Sequence, residues 1–209
     1  MSEIERLQKT DVKGAMAYAR QRLQRELAPE LTYHNLAHTF EHVLPTALEL
    51  ADHHQVAPPE QELLAVAVAF HDIGWTVQGH GHERIGAQLA RQVLPNFGFT
   101  AEQIDRVAGL ILATQMPHRP NNLLDQILID ADMDLLGRDD FWQRNSDLRA
   151  EMAALGEPMS DRQWYQEQLV FLEAHRYFTA VSMARREPGK QQHIAEVRRL
   201  LAASQAGAD

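Results

Sequence analysis

From Leu63 to Phe70 the chain reads LLAVAVAF, eight apolar residues without a break, and the next two are His71 and Asp72. The run is too short to span a bilayer and suits a helix buried on every side. A helix of that kind needs a shell of other elements around it. At 209 residues the chain is long enough to supply that shell within one domain. It can also bury a large core without disulfides or a structural metal.

The surrounding sequence predicts more helices. Apolar periodicity is helical almost throughout, and no alternation of the strand kind runs beyond a few residues. Lys13 to Leu27 reads as a first helix ended by Pro29, and Leu36 to His53 as a second. Ala57-Pro58-Pro59-Glu60 starts the third, with proline in its first turn, and Gly74 stops it. His80 to Leu94 is a fourth, ended by Pro95. Thr100, with Gln103 at the capping-box position, opens a fifth that runs to about Thr114. Asn121 to Gly137 is a sixth and Phe141 to Leu155 a seventh. Ser160 with Gln163 opens an eighth through about Met183, and Gln191 to Ala203 is the last, followed by a frayed tail. Short Gly/Pro/Asn breaks and no low-complexity tract predict an all-α globule over 1–209.

Composition removes several functions. There is no cysteine, which excludes disulfides, thiolate catalysis and cysteine-bound zinc and points to a reducing compartment, read as the cytoplasm. The first ten residues, MSEIERLQKT, lack the apolar core of a secretory signal. A net charge of −9 argues against a broad nucleic-acid face. An anionic substrate would need a local cation, and bound metal is one candidate.

Three segments carry residues suited to chemistry. In YHNLAH, Tyr33 to His38, two imidazoles stand at i and i+4 and can share one side of a helix's first turn. The plainer alternative is a polar helix N-terminus, where His, Asn and Tyr are common. In FHDIGW, Phe70 to Trp75, a buried helix ends in an imidazole and a carboxylate. An ionised carboxylate in such surroundings needs a partner or a metal; a cap or salt bridge is the alternative. In DADMD, Asp130 to Asp134, Asp132 has Leu128, Ile129, Leu135 and Leu136 one turn away and is placed on the apolar face. The same spacing turns Asp134 to solvent and leaves Asp130 intermediate. His38, His71, Asp72 and Asp132 together make a mixed N/O set suited to Mn, Fe, Zn, Ni or, less well, Mg. Facing side chains in a helical bundle build metal sites in this way.

This pattern of His, then His-Asp, then Asp on helices resembles the HD-domain superfamily of metal-dependent phosphohydrolases. The likeness covers roughly Tyr33 to Gly137 and is nearest to small stand-alone bacterial members; the HHExxDGxGYP signature of one branch is absent. YHNLAH further resembles the YHNxxH signature of cyclic nucleotide phosphodiesterases. The resemblance implies one or two divalent first-row ions per chain, held by His38, His71, Asp72 and Asp132. It implies His34 as general acid, and Asp72 as a bridge between ions or as acceptor of the water's proton. His82 and His118 are implied as further ligands or substrate contacts. Arg84 and Arg119, near these ligands in sequence, are candidates to steady a phosphate. The implied substrate is a small phosphate ester of the nucleotide kind; the net charge argues against a nucleic-acid partner, and the short apolar run against a membrane.

Two other functions fit the same set: a di-iron oxygen-using enzyme, and a regulator or scaffold that keeps metal for stability alone. The C-terminal helices, from Phe141 on, read either as packing over the site or as a homodimer face. His53, His54, His80 and His193 are placed in loops or on polar faces, and His175 as a helix-surface or packing residue.

Overall fold

A computed structural model describes residues 10–206, with side chains through 204. The readings of the extreme N-terminus and of the last three residues lie outside the described residues. The fold is all-α, and no strand forms among the described residues.

Helix ends follow from local chemistry. α1 (Val12–Glu26) begins where the Asp11 carboxylate accepts the Gly14 N–H at 2.9 Å. The next helical stretch starts at Leu36, as expected, but it is not α-helical throughout. His38–Val43 form a π turn before α2 (Leu44–His53). Pro45 supplies the reason: it has no N–H to donate and its ring would press on the carbonyl four residues back. A wider turn relieves that contact, and the Leu44 N–H bonds instead to the Thr39 carbonyl.

α3 (Pro58–His71) places Pro58 and Pro59 where helix N–H groups lack partners in any case. It leads into a 3₁₀ turn at Ile73–Thr76. α4 (His82–Val93) follows, and α5 (Ala101–Ala113) carries the capping box of Thr100 and Gln103. α6 (Leu123–Asp132) passes into a 3₁₀ turn at Asp134–Gly137. α7 (Phe141–Ala154), α8 (Asp161–Ala174) and α9 (Ala180–Ala206) complete the chain, and α8 begins at the Ser160/Gln163 capping box.

The chain divides into two compact units. The first takes in the chain up to Ala28 and Asn35–Ala131; the second takes in Pro29–His34 and the chain from Asp132 on. In the first, α1, α2, α4 and α5 all pack on α3. That is the shell the apolar run demands: every residue from Leu63 to His71 is buried. Side chains such as Leu64, Val66 and Phe70 each stabilise the fold by about 1.5–3 kcal/mol through burial.

In the second unit α8 packs on α9 around Leu136, Phe141, Leu172, Tyr177, Ile194 and Val197. Here the sequence reading needs correction. α8 stops at Ala174 instead of running to Met183, and Thr179 caps a new helix by accepting the Ser182 N–H at 3.2 Å. α9 then continues through Pro188-Gly189, across the gap expected between Met183 and Gln191, and on to Ala206. The glycine is needed there because a Cβ on Gly189 would stand 2.3 Å from the Gly137 carbonyl oxygen. The helix thus keeps Pro-Gly so that its backbone can lie against the 3₁₀ turn.

Candidate metal centre

Asn35 sets the site's first wall. Its side-chain oxygen accepts the His38 N–H at 3.1 Å and its carbonyl accepts the Thr39 N–H, so it starts the helix that carries His38. His71 is the last residue of α3, and Asp72 follows it as the helix leaves α geometry. His82 opens α4. Gly74 lets that helix start so close to the end of α3, since a Cβ there would lie 2.0 Å from the His82 carbonyl oxygen.

These elements bring three imidazoles to one carboxylate. His38 Nε2 lies 3.5 Å and His71 Nε2 3.1 Å from Asp72 Oδ2, and His82 Nε2 lies 3.3 Å from Asp72 Oδ1. His38, His71 and Asp72 are buried and His82 is partly so. Two of the rings have their proton placed by the backbone. His71 Nδ1 meets the Val68 carbonyl at 2.7 Å and His82 Nδ1 meets the Gly79 carbonyl at 3.0 Å, so each Nδ1 carries the donated hydrogen. Trp75 stacks on the His82 ring and fixes its plane.

The three Nε2 atoms and the Asp72 oxygens thus come together as nitrogen and oxygen donors in one largely buried place. A proton can bridge such donors, and so can a cation. Burial alone would lower the His82 pKa; the Asp72 hydrogen bond and charge, the Glu83 charge and the Gly79 carbonyl outweigh it and raise it. A divalent ion satisfies the same lone pairs, and backbone-held Nδ1–H groups are the usual outer support of metal-binding imidazoles. The donor set fits an ion.

Asp132 is the last residue of α6, so that helix fixes its place. With His38 and His71 it forms a group that could hold a metal ion, with ligand atoms within 4.8 Å of one another. It is half-buried, whereas Asp130 is fully buried.

Asp134, expected in solvent, is only 4 % exposed and pairs with Arg186 Nε at 2.6 Å. The helical spacing used to orient it ends at Asp132, where the chain tightens into the 3₁₀ turn.

The remaining candidates fall elsewhere. His118 lies between α5 and α6 and is not one of the imidazoles around Asp72; its Nε2 is buried without a hydrogen-bond partner. Arg84 and Arg119 are exposed and line two separate hollows that share Gln115 and Met116. His34 belongs to the second unit, where Glu151 of α7 takes its Nδ1 at 2.5 Å.

Of the histidines set aside, His80 and His53 are exposed. His193 is instead half-buried, stacked on Phe141 with Nδ1 on the Leu136 carbonyl. His175 is a packing residue against Tyr177 and Lys190. Glu151 was not legible in the sequence: a glutamate in RAEMAAL looks like any exposed helix residue, and its partners lie 117 and 118 positions away.

Comparison with known proteins agrees with this geometry. Residues 38–134 match the HD domain family, a span that begins at His38 and takes in His71, Asp72 and Asp132. That stretch of the chain is similar to HD domains. It is 36 % identical over 76 residues to a bifunctional uridylyltransferase/uridylyl-removing enzyme of Cereibacter sphaeroides. That stretch is 36 % of this chain and spans only 8 % of the relative's length. The crystal structure of a predicted HD superfamily hydrolase from an uncultured Thermotogales bacterium shares the fold, with a TM-score of 0.59 at 22 % identity over 91 % of each chain. No helix among the described residues is long and apolar enough to cross a membrane.

Proposed function

We propose that the protein is a metal-dependent phosphohydrolase that cleaves a small phosphate ester of the nucleotide kind with water. The observation that carries this is the convergence of the His38, His71 and His82 Nε2 atoms on a buried carboxylate, with Nδ1–H groups of two rings given to the backbone. The HD domain match supports the hydrolytic class. The uridylyl-removing relative, similar over a short stretch, supports a substrate that bears a nucleotide.

His38, His71, Asp72 and Asp132 would hold the ion, and His82 would join them or help hold a second. A bound divalent ion would supply Lewis acidity and a water acidified toward neutral pH. Asp72 accepts the proton that water gives up as it attacks phosphorus. His34 returns a proton to the departing ester oxygen, a role that contributes about 10²–10⁴-fold. Arg84 and Arg119 bind the anionic substrate from their exposed positions, and the R84A and R119A variants should raise KM.

The test is elemental analysis of protein purified without chelator, beside D72A. Both are then assayed on p-nitrophenyl phosphate, bis-p-nitrophenyl phosphate and a nucleotide panel. The expected result is one or two first-row ions per wild-type chain with hydrolysis, and neither in the variant. Wild type that stays metal-free after reconstitution with Mn or Fe would overturn the ligand set. Metal that stabilises the fold with no hydrolysis on any substrate would leave a scaffold in place of an enzyme.

A further inference from the structure

α7 turns one face to the segment that carries His34. Arg144, Asp147 and Glu151 are spaced three and four residues apart, and so share that face. The Thr32 hydroxyl donates to the Asp147 carbonyl at 2.7 Å. Arg144 donates to the Tyr33 carbonyl at 3.3 Å and lays its guanidinium 5.0 Å over the Tyr33 ring. Glu151 does the most. Its Oε2 accepts the backbone N–H groups of Tyr33 and His34 at 2.8 and 2.9 Å, and its Oε1 takes His34 Nδ1 at 2.5 Å.

Resting on the phosphohydrolase reading above, we propose that Glu151 is the positioning residue for His34: it fixes the imidazole's tautomer and aim so that Nε2 is the atom that exchanges a proton with the substrate. Glu151 is 1 % exposed, and a carboxylate so buried is retained only where its lone pairs are taken up. Burial alone would raise its pKa, but the His34 hydrogen bond and charge and the two backbone N–H groups outweigh it and hold the carboxyl below the ordinary range. An ionised carboxylate only accepts, so the Nδ1 of His34 must bear the hydrogen. His34 keeps 20 % of its side-chain surface in solvent. In this arrangement the proton on Nε2 passes to the leaving oxygen as the P–O bond breaks, and Nδ1–H stays on Glu151.

General-acid help matters in proportion to the basicity of the leaving group. p-Nitrophenolate departs without a proton, whereas an alkyl or nucleoside alkoxide does not. The experiment compares wild type, E151Q and H34Q on matched p-nitrophenyl and alkyl phosphate esters, with histidine ¹⁵N spectra of each protein. E151Q should lower kcat on the alkyl ester about tenfold or more with KM unchanged, while the p-nitrophenyl ester changes about twofold or less. The His34 spectrum should lose its Nδ1–H preference in E151Q, a change that does not depend on activity. Equal slowing of both esters, or an unaltered His34 spectrum, would overturn the proposal and leave the phosphohydrolase reading standing. Wild type that hydrolyses neither ester would sink that reading itself, and the proposal with it, before any variant is compared.

Discussion

Asp72 and Asp134 are equally buried, each 4 % exposed, and the chain treats them differently. Asp134 faces guanidinium groups, Arg186 at 2.6 Å and Arg138 at 3.9 Å, whose charge does not depend on pH in the working range. Asp72 faces three imidazoles, whose charge does. The first carboxylate is neutralised by its own chain and serves the fold. The second sits among imidazoles, which are neutral when they serve as metal ligands. Equal burial thus separates into structure and chemistry according to the kind of nitrogen beside the carboxylate.

The widest separation should appear in metal content and rate. D72N should bring bound metal to background and cut hydrolysis about 10³-fold, since a lost Lewis acid forfeits several kcal/mol of barrier lowering. D134N should leave the metal content per folded chain as it is. If D134N loses metal as completely as D72N, the distinction collapses.

Stability should reverse the order. D134N should cost about 3 kcal/mol by urea unfolding, at the low end for a broken buried pair because Arg186 keeps a quarter of its side chain in water. D72N in chelated buffer should cost less, about 1 kcal/mol, since Asp72 faces imidazoles and not permanently charged guanidinium groups. Adding a divalent ion at about 100 times its Kd should then raise stability by about 2.7 kcal/mol in wild type and D134N, and by nothing measurable in D72N.

A smaller effect should follow pH. Glu151 has a folded pKa below its ordinary value. Its contribution is therefore fully present above the ordinary carboxylate range and is lost as pH falls through the depressed folded value. Urea midpoints from roughly pH 3 to 6 should slope down toward acid more steeply in wild type than in E151Q. The smallest effects are at the caps. T100A in the first unit and S160A in the second should each cost about 1 kcal/mol, and equally, because the same capping box starts both helices.

How much was legible in the sequence differs between the two units for a physical reason. In the first, helix starts are written in short-range chemistry: Asp11, Asn35, Pro58 and Thr100 each act within a turn of themselves. The buried run ending in His71-Asp72 is likewise local, and so α1 to α6 and the grouping of His38 with His71 and Asp72 could be anticipated from spacing, whereas His82 was implied by the family resemblance alone. In the second unit the deciding contacts are distant. Pro188-Gly189 looks like a stop until Gly137 is seen to need the room. Asp134 looks solvent-facing because its burial comes from Arg186, 52 positions on. Glu151 meets His34 across 117 positions, with no repeat or motif to mark it. The break at His175–Thr179 had a readable sign in Thr179, a good N-cap residue, but the aromatic spacing around it continued as though helical.

The π turn at His38–Val43 makes the centre sensitive to chain length as well as to composition. One residue removed anywhere between Thr39 and Val43 would let the segment close into regular α geometry, and every side chain before the deletion would swing by about 100° relative to α2. His38 would stay in the sequence, in the same helix, and point away from Asp72. Length variation among relatives at this one turn should therefore separate chains that keep the ion-binding arrangement from chains that merely keep its letters.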